Sequence, residues 1–233
     1  ACLGCCGLVD AGEQVIMTDS VNSTNKCKYR IMMAKTIERG ITNIIGVNPK
    51  IAEDLVEISL KNNHITKLKD VKNYVREKKM LNSRFDFFGV DSENKEFVME
   101  VKNVPLADYV DCLAKEKKGL DFSDYEFKSK IAYFPDGYRK KQKDTVSPRA
   151  LKHITELTEI ANDPDKNIRT IMCYVIQRWD VSSFQPSNVD PIYKSAFKKA
   201  QESGVEVIVL QISWSEDGIA QFISDNLPIN NNV

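Results

Sequence analysis

Short apolar runs rich in Ile, Val and Met recur along the chain, separated by polar turns and by two amphipathic stretches that open on proline. Strands are predicted over 13–18 (EQVIMT), 28–37 (KYRIMMAKTI) and 43–47 (NIIGV), where β-branched and large apolar residues cluster. Asn48-Pro49 then supplies an N-cap with proline at the first helical position, opening a helix to about Asn62. Ile51, Ala52, Leu55, Val56 and Ser59 form its apolar face. A strand follows at 72–78, then two more inside SRFDFFGVDSENKEFVMEVKN (83–103). Residues 107–130 are charged and irregular and look like an inserted loop or lid, before a short strand KIAYF at 130–134. Ser147-Pro148 repeats the helix-start signal for 148–161. Strand 169–177, helix 190–203 with Gly204 as its C-cap, strand 205–213 and a last strand IAQFI complete the chain. The pattern is α/β (α+β): a mixed sheet flanked by helices over 41–233, preceded by a small β-only, barrel-like piece over 1–40.

The stretch 83–103 places charges among phenylalanines. Folding it as a hairpin about Ser92-Glu93-Asn94 sets Phe88 opposite Val98, Asp86 opposite Glu100 and Arg84 opposite Lys102. Alternation then puts Arg84, Asp86, Glu100 and Lys102 on one face, with Phe85, Phe87, Met99 and Val101 on the other. Two apposed carboxylates repel unless something neutralises them. Arg84 and Lys102 would do so as a four-charge cluster without chemistry; a divalent Mg²⁺ or Mn²⁺ would do so with it. In the second case a neighbouring lysine orients the attacking water and stabilises charge on phosphorus.

Composition narrows the classes. The sequence has 233 residues, 42% hydrophobic and 28% charged, enough to bury a core. Lys plus Arg equals Asp plus Glu, 33 against 33, which argues against a DNA-packaging coat of positive charge but not against a local basic groove. No apolar run reaches the roughly 18 residues of a membrane span. The apolar start ACLGCCGLV lacks a basic leader, a poor signal peptide, and the chain begins on Ala, as a processed or partial chain would. Six unevenly spaced cysteines fit a reducing compartment, so a cytoplasmic location is expected, or a nuclear one in a eukaryote. Cys2, Cys5, Cys6 and Cys27 are a conceivable zinc set, but with no second CxxC the free-thiol reading is preferred. Phosphate loops of the Gly-x-x-x-x-Gly-Lys and Gly-x-Gly-x-x-Gly kinds are missing, as is a Gly-x-Ser-x-Gly elbow, and there are two histidines. ATPase, dinucleotide and serine-hydrolase chemistry therefore have no footing.

An aspartate on one strand, then Glu-x-Lys on its neighbour, within α-β-β-β-α-β, is the pattern of the PD-(D/E)xK nuclease-like fold. More specifically, SRFDF, FVMEVKNVPL, AYFPD, PRALKHITEL, VIQRWDVSSFQPSNVDPIY and GVEVIVL resemble the sugar fermentation stimulation protein family (SfsA), over about residues 3–229. The resemblance implies a small OB-like barrel, here lacking its start, followed by a nuclease-like domain. It also implies DNA binding and a regulatory part in sugar metabolism. It places Asp86, Glu100 and Lys102 on the catalytic positions, with Asp86 and Glu100 as metal ligands. Glu53 of the first helix, or less favourably Glu57, would be the further acidic ligand. The segment 107–129 and the run YRKKQKD depart from the family pattern.

Between Tyr138 and Lys152 lie Arg139, Lys140, Lys141, Lys143, Arg149 and Lys152 against one acid, Asp144. On the helix Arg149, Lys152, His153 and Glu156 form one polar stripe, although His153 by itself also reads as a capped core histidine. Such a segment is either a solvated face or a sequence-independent grip on a phosphate backbone. Gln177, at the end of an apolar strand, is a further candidate for nucleic-acid contact, and Trp179, Phe184 and Tyr193 are either base-stacking or packing residues. Two functions follow. One is a Mg- or Mn-dependent phosphodiesterase on nucleic acid, DNA foremost; the other is a DNA-binding regulator on a nuclease-like scaffold that does not cut. Enzymes of this fold often pair, so a homodimer is an accompanying expectation.

Overall fold

The computed structural model describes residues 7–20, 26–135 and 144–230. Its elements are β1 (Gln14–Asp19), β2 (Tyr29–Glu38), β3 (Ile41–Gly46), α1 (Pro49–Lys61), β4 (Asn73–Met80), β5 (Ser83–Val90) and β6 (Glu96–Val104). There follow β7 (Ala107–Asp108), α2 (Ala114–Lys117), β8 (Lys130–Phe134), α3 (Pro148–Ala161), β9 (Ile168–Ile176) and β10 (Val181–Pro186). The last are α4 (Pro191–Glu202), β11 (Glu206–Trp214) and β12 (Ala220–Ser224).

The helices start where their caps dictate. Asn48 accepts the Lys50 N–H at 3.0 Å, Ser147 the Ala150 N–H at 3.3 Å and Asp190 the Tyr193 N–H at 3.0 Å, each followed by proline at the first helical position. A six-stranded mixed sheet in the order β12-β11-β9-β6-β5-β4 carries the molecule. Its centre, β11-β9-β6, is parallel, and β9 is buried on both faces from Thr170 to Ile176, as a parallel strand covered twice must be. One face packs Ala52, Leu55, Val56 and Leu60 of α1 against Phe97, Met99 and Val101. The other packs Ala150, Ile154 and Leu157 of α3 and Phe197 of α4 against Val98, Val104 and Tyr174. The connectivity α1-β4-β5-β6-α3-β9 is the α-β-β-β-α-β order expected.

Three features differ from the reading of the sequence. The N-terminal piece is a three-stranded antiparallel sheet, β1-β2-β3, and among the described residues it does not close into a barrel. It also runs past residue 40, because β2 needs β3 as its hairpin partner, Met33 opposite Gly46 through Glu38 opposite Ile41. Finally, β10 forms a second small sheet with β8 and β7, parallel to β8. Its sequence VSSFQP has serines where apolar residues signal a strand, so it escapes periodicity.

Gly46 marks where the N-terminal sheet meets the large one. Its N–H donates to the Gln177 carbonyl at 3.0 Å, and a Cβ there would lie 2.0 Å from Gln177 Oε1 and 2.8 Å from Gln177 Cβ. Only glycine permits this approach of β3 to the end of β9.

Candidate metal and catalytic centre

The hairpin forms as the turn chemistry requires. Asp91 Oδ1 accepts the N–H groups of Glu93 and Lys95, both at 2.9 Å, and Asn94 takes a left-handed φ of 65°. Phe88 pairs with Val98 and Phe87 with Met99, the expected register. There the β5–β6 ladder ends. Asp86 Oδ2 accepts the Val101 N–H at 2.6 Å, so a side chain replaces the backbone partner. On the other flank β4 pairs Arg76 with Phe87 and Lys78 with Phe85, while Glu77 between them adopts φ 59°. The irregularity breaks strand alternation. Phe85 buries in the core beneath α3 and Phe87, two residues on, in the core beneath α1. The expected sharing of one face by Phe85 and Phe87 is therefore corrected, and so are the Asp86–Glu100 and Arg84–Lys102 pairs. Irregularities of this kind re-aim side chains beside functional sites.

β6 is undisturbed on its other side, paired with β9 from Glu96–Ile168 to Val104–Ile176. Glu100 and Lys102 thus alternate regularly, between Val98 and Val104, on the face that looks at α3. Glu100 is 2% exposed. Its Oε1 accepts from both Lys102 Nζ and His153 Nδ1, whose nitrogens lie 3.4 Å apart. Its Oε2 is buried without a partner. Burial works to raise the Glu100 pKa, but Lys102 and His153 outweigh it, and the group stays below the usual carboxylate range. Asp86 goes the other way. Burial, and then the charge of Glu100, lift it from 3.8 to about 7 against the Val101 N–H and Lys102. Two neighbouring carboxylates of opposite tendency result, one held as an anion and one reluctant to ionise.

Glu53 adds its charge to the field at Asp86. Its side chain is held by Arg76 at 2.8 Å, and the same guanidinium binds Asp54 at 2.8 Å and Glu57 at 3.0 Å. Among the described residues no group of three His, Cys, Asp or Glu side chains is arranged to hold a metal ion. The residues present fit a hard divalent cation on a narrower footing. A buried carboxylate oxygen without a donor is a costly group, and Glu100 Oε2 is one, beside an Asp86 whose Oδ1 has no hydrogen bond among the described residues. An all-oxygen set of this kind suits Mg²⁺, Mn²⁺ or Ca²⁺ with several waters retained.

The remaining candidates are placed apart. Arg139, Lys140 and Lys141 lie outside the described residues, as do Cys2, Cys5 and Cys6; Cys27, Cys112 and Cys173 are free thiols. The α3 stripe divides: Arg149 and Lys152 face solvent while His153 and Glu156 are buried. Lys152 Nζ donates to the Asn82 carbonyl at 2.6 Å, at the start of β5. Gln177 is fully buried, donating to Asn103 Oδ1 at 2.8 Å and accepting from Trp214 Nε1 at 3.0 Å, so its amide serves internal packing. Phe184 and Tyr193 are fully buried, and Trp179 packs against Phe127 with Lys128 Nζ 4.9 Å from its ring centroid.

Sequence reasoning missed two things. His153 joins Glu100, and the signal was its spacing, three residues after Ala150 and four before Leu157, on the buried stripe. The other is a buried ion network. Asp180 binds Arg178 Nε at 2.6 Å and Lys130 Nζ at 2.7 Å, and Lys130 also binds Glu38 of β2 at 2.6 Å, tying the small sheets together.

The family description "Sugar fermentation stimulation protein RE domain" matches residues 50–218. A sugar fermentation stimulation protein homolog of Clostridium botulinum is 34% identical over 178 residues, 76% of this chain and 64% of that protein. The chain thus spans less than two thirds of that relative. A homolog of Alteromonas mediterranea is 28% identical over 231 residues, covering 96% of this chain and 82% of its own. Among solved structures, Pyrococcus furiosus SfsA in complex with Ca²⁺ superposes with a TM-score of 0.69 at 21% identity, over 92% of this chain and 76% of that one. Its likeness is one of fold. With the family description matched across most of its length, this chain belongs to the sugar fermentation stimulation protein family, SfsA.

Proposed function

We propose that this SfsA-family chain binds nucleic acid, DNA foremost, and carries a divalent-metal-dependent phosphodiesterase centre at Asp86, Glu100 and Lys102. The observation that carries the reading is Glu100 Oε2, buried and without a donor, next to an Asp86 that burial and Glu100 push up to about 7. Lys102 and His153 engage only Oε1 of Glu100, and Asp86 has the Val101 N–H on Oδ2 alone, so each carboxyl keeps one oxygen without a donor among the described residues. Mg²⁺ or Mn²⁺, when bound, would supply an acidified water and charge neutralisation at phosphorus. Pyrococcus furiosus SfsA was solved in complex with Ca²⁺, another hard oxygen-seeking ion.

The chain's own residues supply the rest. Asp86 and Glu100 would hold the cation. Lys102 keeps its ammonium at Glu100 Oε1, where it donates to a phosphate oxygen entering beside it. Arg149 presents an exposed guanidinium at the start of α3 for backbone phosphates, and Lys152 a second cation one turn on. No helix among the described residues is long and apolar enough to cross a membrane.

A binding-only reading has one observation in its favour: Arg76 holds the third acid, Glu53, so the centre has two carboxylates rather than three. One experiment separates the two. Mg²⁺ and Mn²⁺ are titrated calorimetrically into wild type and Asp86→Ala, and both proteins are incubated with labelled single- and double-stranded DNA and RNA. Metal binding and cleavage by wild type alone support the enzyme; nucleic-acid binding without metal binding supports the regulator. Binding of neither sinks both.

A further inference from the structure

Glu100 is held from two directions. Lys102 is two residues along the same strand and reaches Oε1 on a flexible stem. His153 comes from α3, across the face of the sheet, and reaches the same oxygen. A carboxylate only accepts, so the bonded imidazole nitrogen Nδ1 is the one that carries hydrogen. The ammonium of Lys102 only donates, and the 3.4 Å between Nζ and Nδ1 is two donors converging on one acceptor. The consequence is asymmetric: Oε1 is doubly engaged and Oε2 is left bare and buried.

We propose that His153 is a positioning residue for the divalent-cation centre: its Nδ1–H fixes Glu100 Oε1 and thereby reserves Oε2 for the metal. This rests on the metal-centre reading above. Lys102 alone would leave the carboxylate free to pivot and exchange its oxygens. A donor on a capped helix, anchored by buried Ala150, Ile154 and Leu157, removes that freedom. The imidazole is itself held, 4% exposed, with the Phe85 ring 5.9 Å away at an interplanar angle of 59°. Phe85 is on that face because alternation breaks at Asp86. One backbone irregularity therefore both turns the first carboxylate and builds the wall behind the group that orients the second. Metal sites depend on such outer partners, and losing one costs about 10–100-fold in affinity.

The test uses Mn²⁺ titrated into the full chain, followed by calorimetry and by loss of the free-ion electron paramagnetic resonance signal. Four variants are compared with wild type: His153→Asn, His153→Gln, His153→Phe and Glu100→Gln. Asparagine places an amide N–H where Nδ1 stands; glutamine places one nearer Nε2; phenylalanine keeps the ring contact and has no donor. Binding about 10-fold weaker is expected for Phe and Gln, with Asn near wild type. Thermal melts in chelator establish which variants are folded, and the Asn–Gln comparison stands if Phe is not. Equal affinity in Asn, Gln and wild type, with Glu100→Gln devoid of binding, overturns the role of His153 and leaves the metal centre standing. Wild type without Mn²⁺ binding overturns the metal centre and this inference with it.

Discussion

Replacing Asp86 by asparagine should stabilise the metal-free protein, and only above a particular pH. Asp86 has a folded pKa of about 7 against an ordinary 3.8, because burial and Glu100 disfavour its charge. Below pH 4 the carboxyl is neutral in both folded and unfolded chains and costs nothing. Between about 4 and 7 the unfolded chain gives up the proton while the folded one keeps it, so stability falls as pH rises. Above 7 the loss is complete. Some three pH units at 1.36 kcal/mol each make it about 4 kcal/mol. Asparagine cannot ionise and keeps an oxygen for the Val101 N–H, but its amide N–H₂ needs a partner in a half-buried place, which costs about 1 kcal/mol. Asp86→Asn is therefore expected to lose up to about 1 kcal/mol at pH 4, where there is little ionisation penalty to relieve, and to gain about 3 kcal/mol at pH 8. The assay is urea denaturation with chelator at unit steps from pH 4 to 8, read as the difference between the two proteins. Mn²⁺ at about 1,000 times its Kd at pH 8 should reverse the order, since it adds about 4.1 kcal/mol to the protein that binds it, more than the advantage of the variant. Parallel pH curves would refute the argument, because they would mean that Asp86 ionises in the folded chain as it does in the unfolded one.

Other perturbations probe other parts of the molecule. Burial pushes Asp180 up, but Arg178 and Lys130 outweigh it and bring it to about 2; Asp180→Asn leaves two buried cations short of a partner and should cost about 3–5 kcal/mol by chemical denaturation at pH 7. Because that carboxylate's pKa is depressed, its contribution should be full above pH 4 and fade as pH falls towards 2, which acid titration of wild type against Asp180→Asn would show. Gly46→Ala places a Cβ 2.0 Å from Gln177 Oε1, so a loss of about 2–3 kcal/mol is expected, with partial recovery in the double variant with Gln177→Ala. In nucleic-acid binding, Arg149→Ala should weaken affinity across sequences alike and reduce the salt-dependence slope by about one, as measured by fluorescence anisotropy at several salt concentrations.

What is legible in the sequence follows from which forces act locally. The helix starts are legible because Asn48-Pro49 and Ser147-Pro148 settle their caps within a few residues, and the hairpin because Asp91 and Asn94 set its turn. That Asp86, Glu100 and Lys102 gather is legible for the same reason: adjacent strands joined by a short turn leave few registers. How they gather is not. The break at Asp86 is a trade between a backbone bond and a side-chain bond to Val101, made in partnership with Glu77 on the neighbouring strand, and no local pattern encodes it. His153 shows the same limit from the other side. Helical spacing does put it on the buried stripe of α3, but a buried histidine is a cost until something accepts its proton, and the acceptor is 53 residues away on β6. Of the two readings the sequence offers for it, polar stripe with Arg149 and Lys152 or core histidine, burial selects the second. A polar group at an apolar position of an amphipathic helix asks for a partner, and in this chain the partner is the carboxylate whose other oxygen has none.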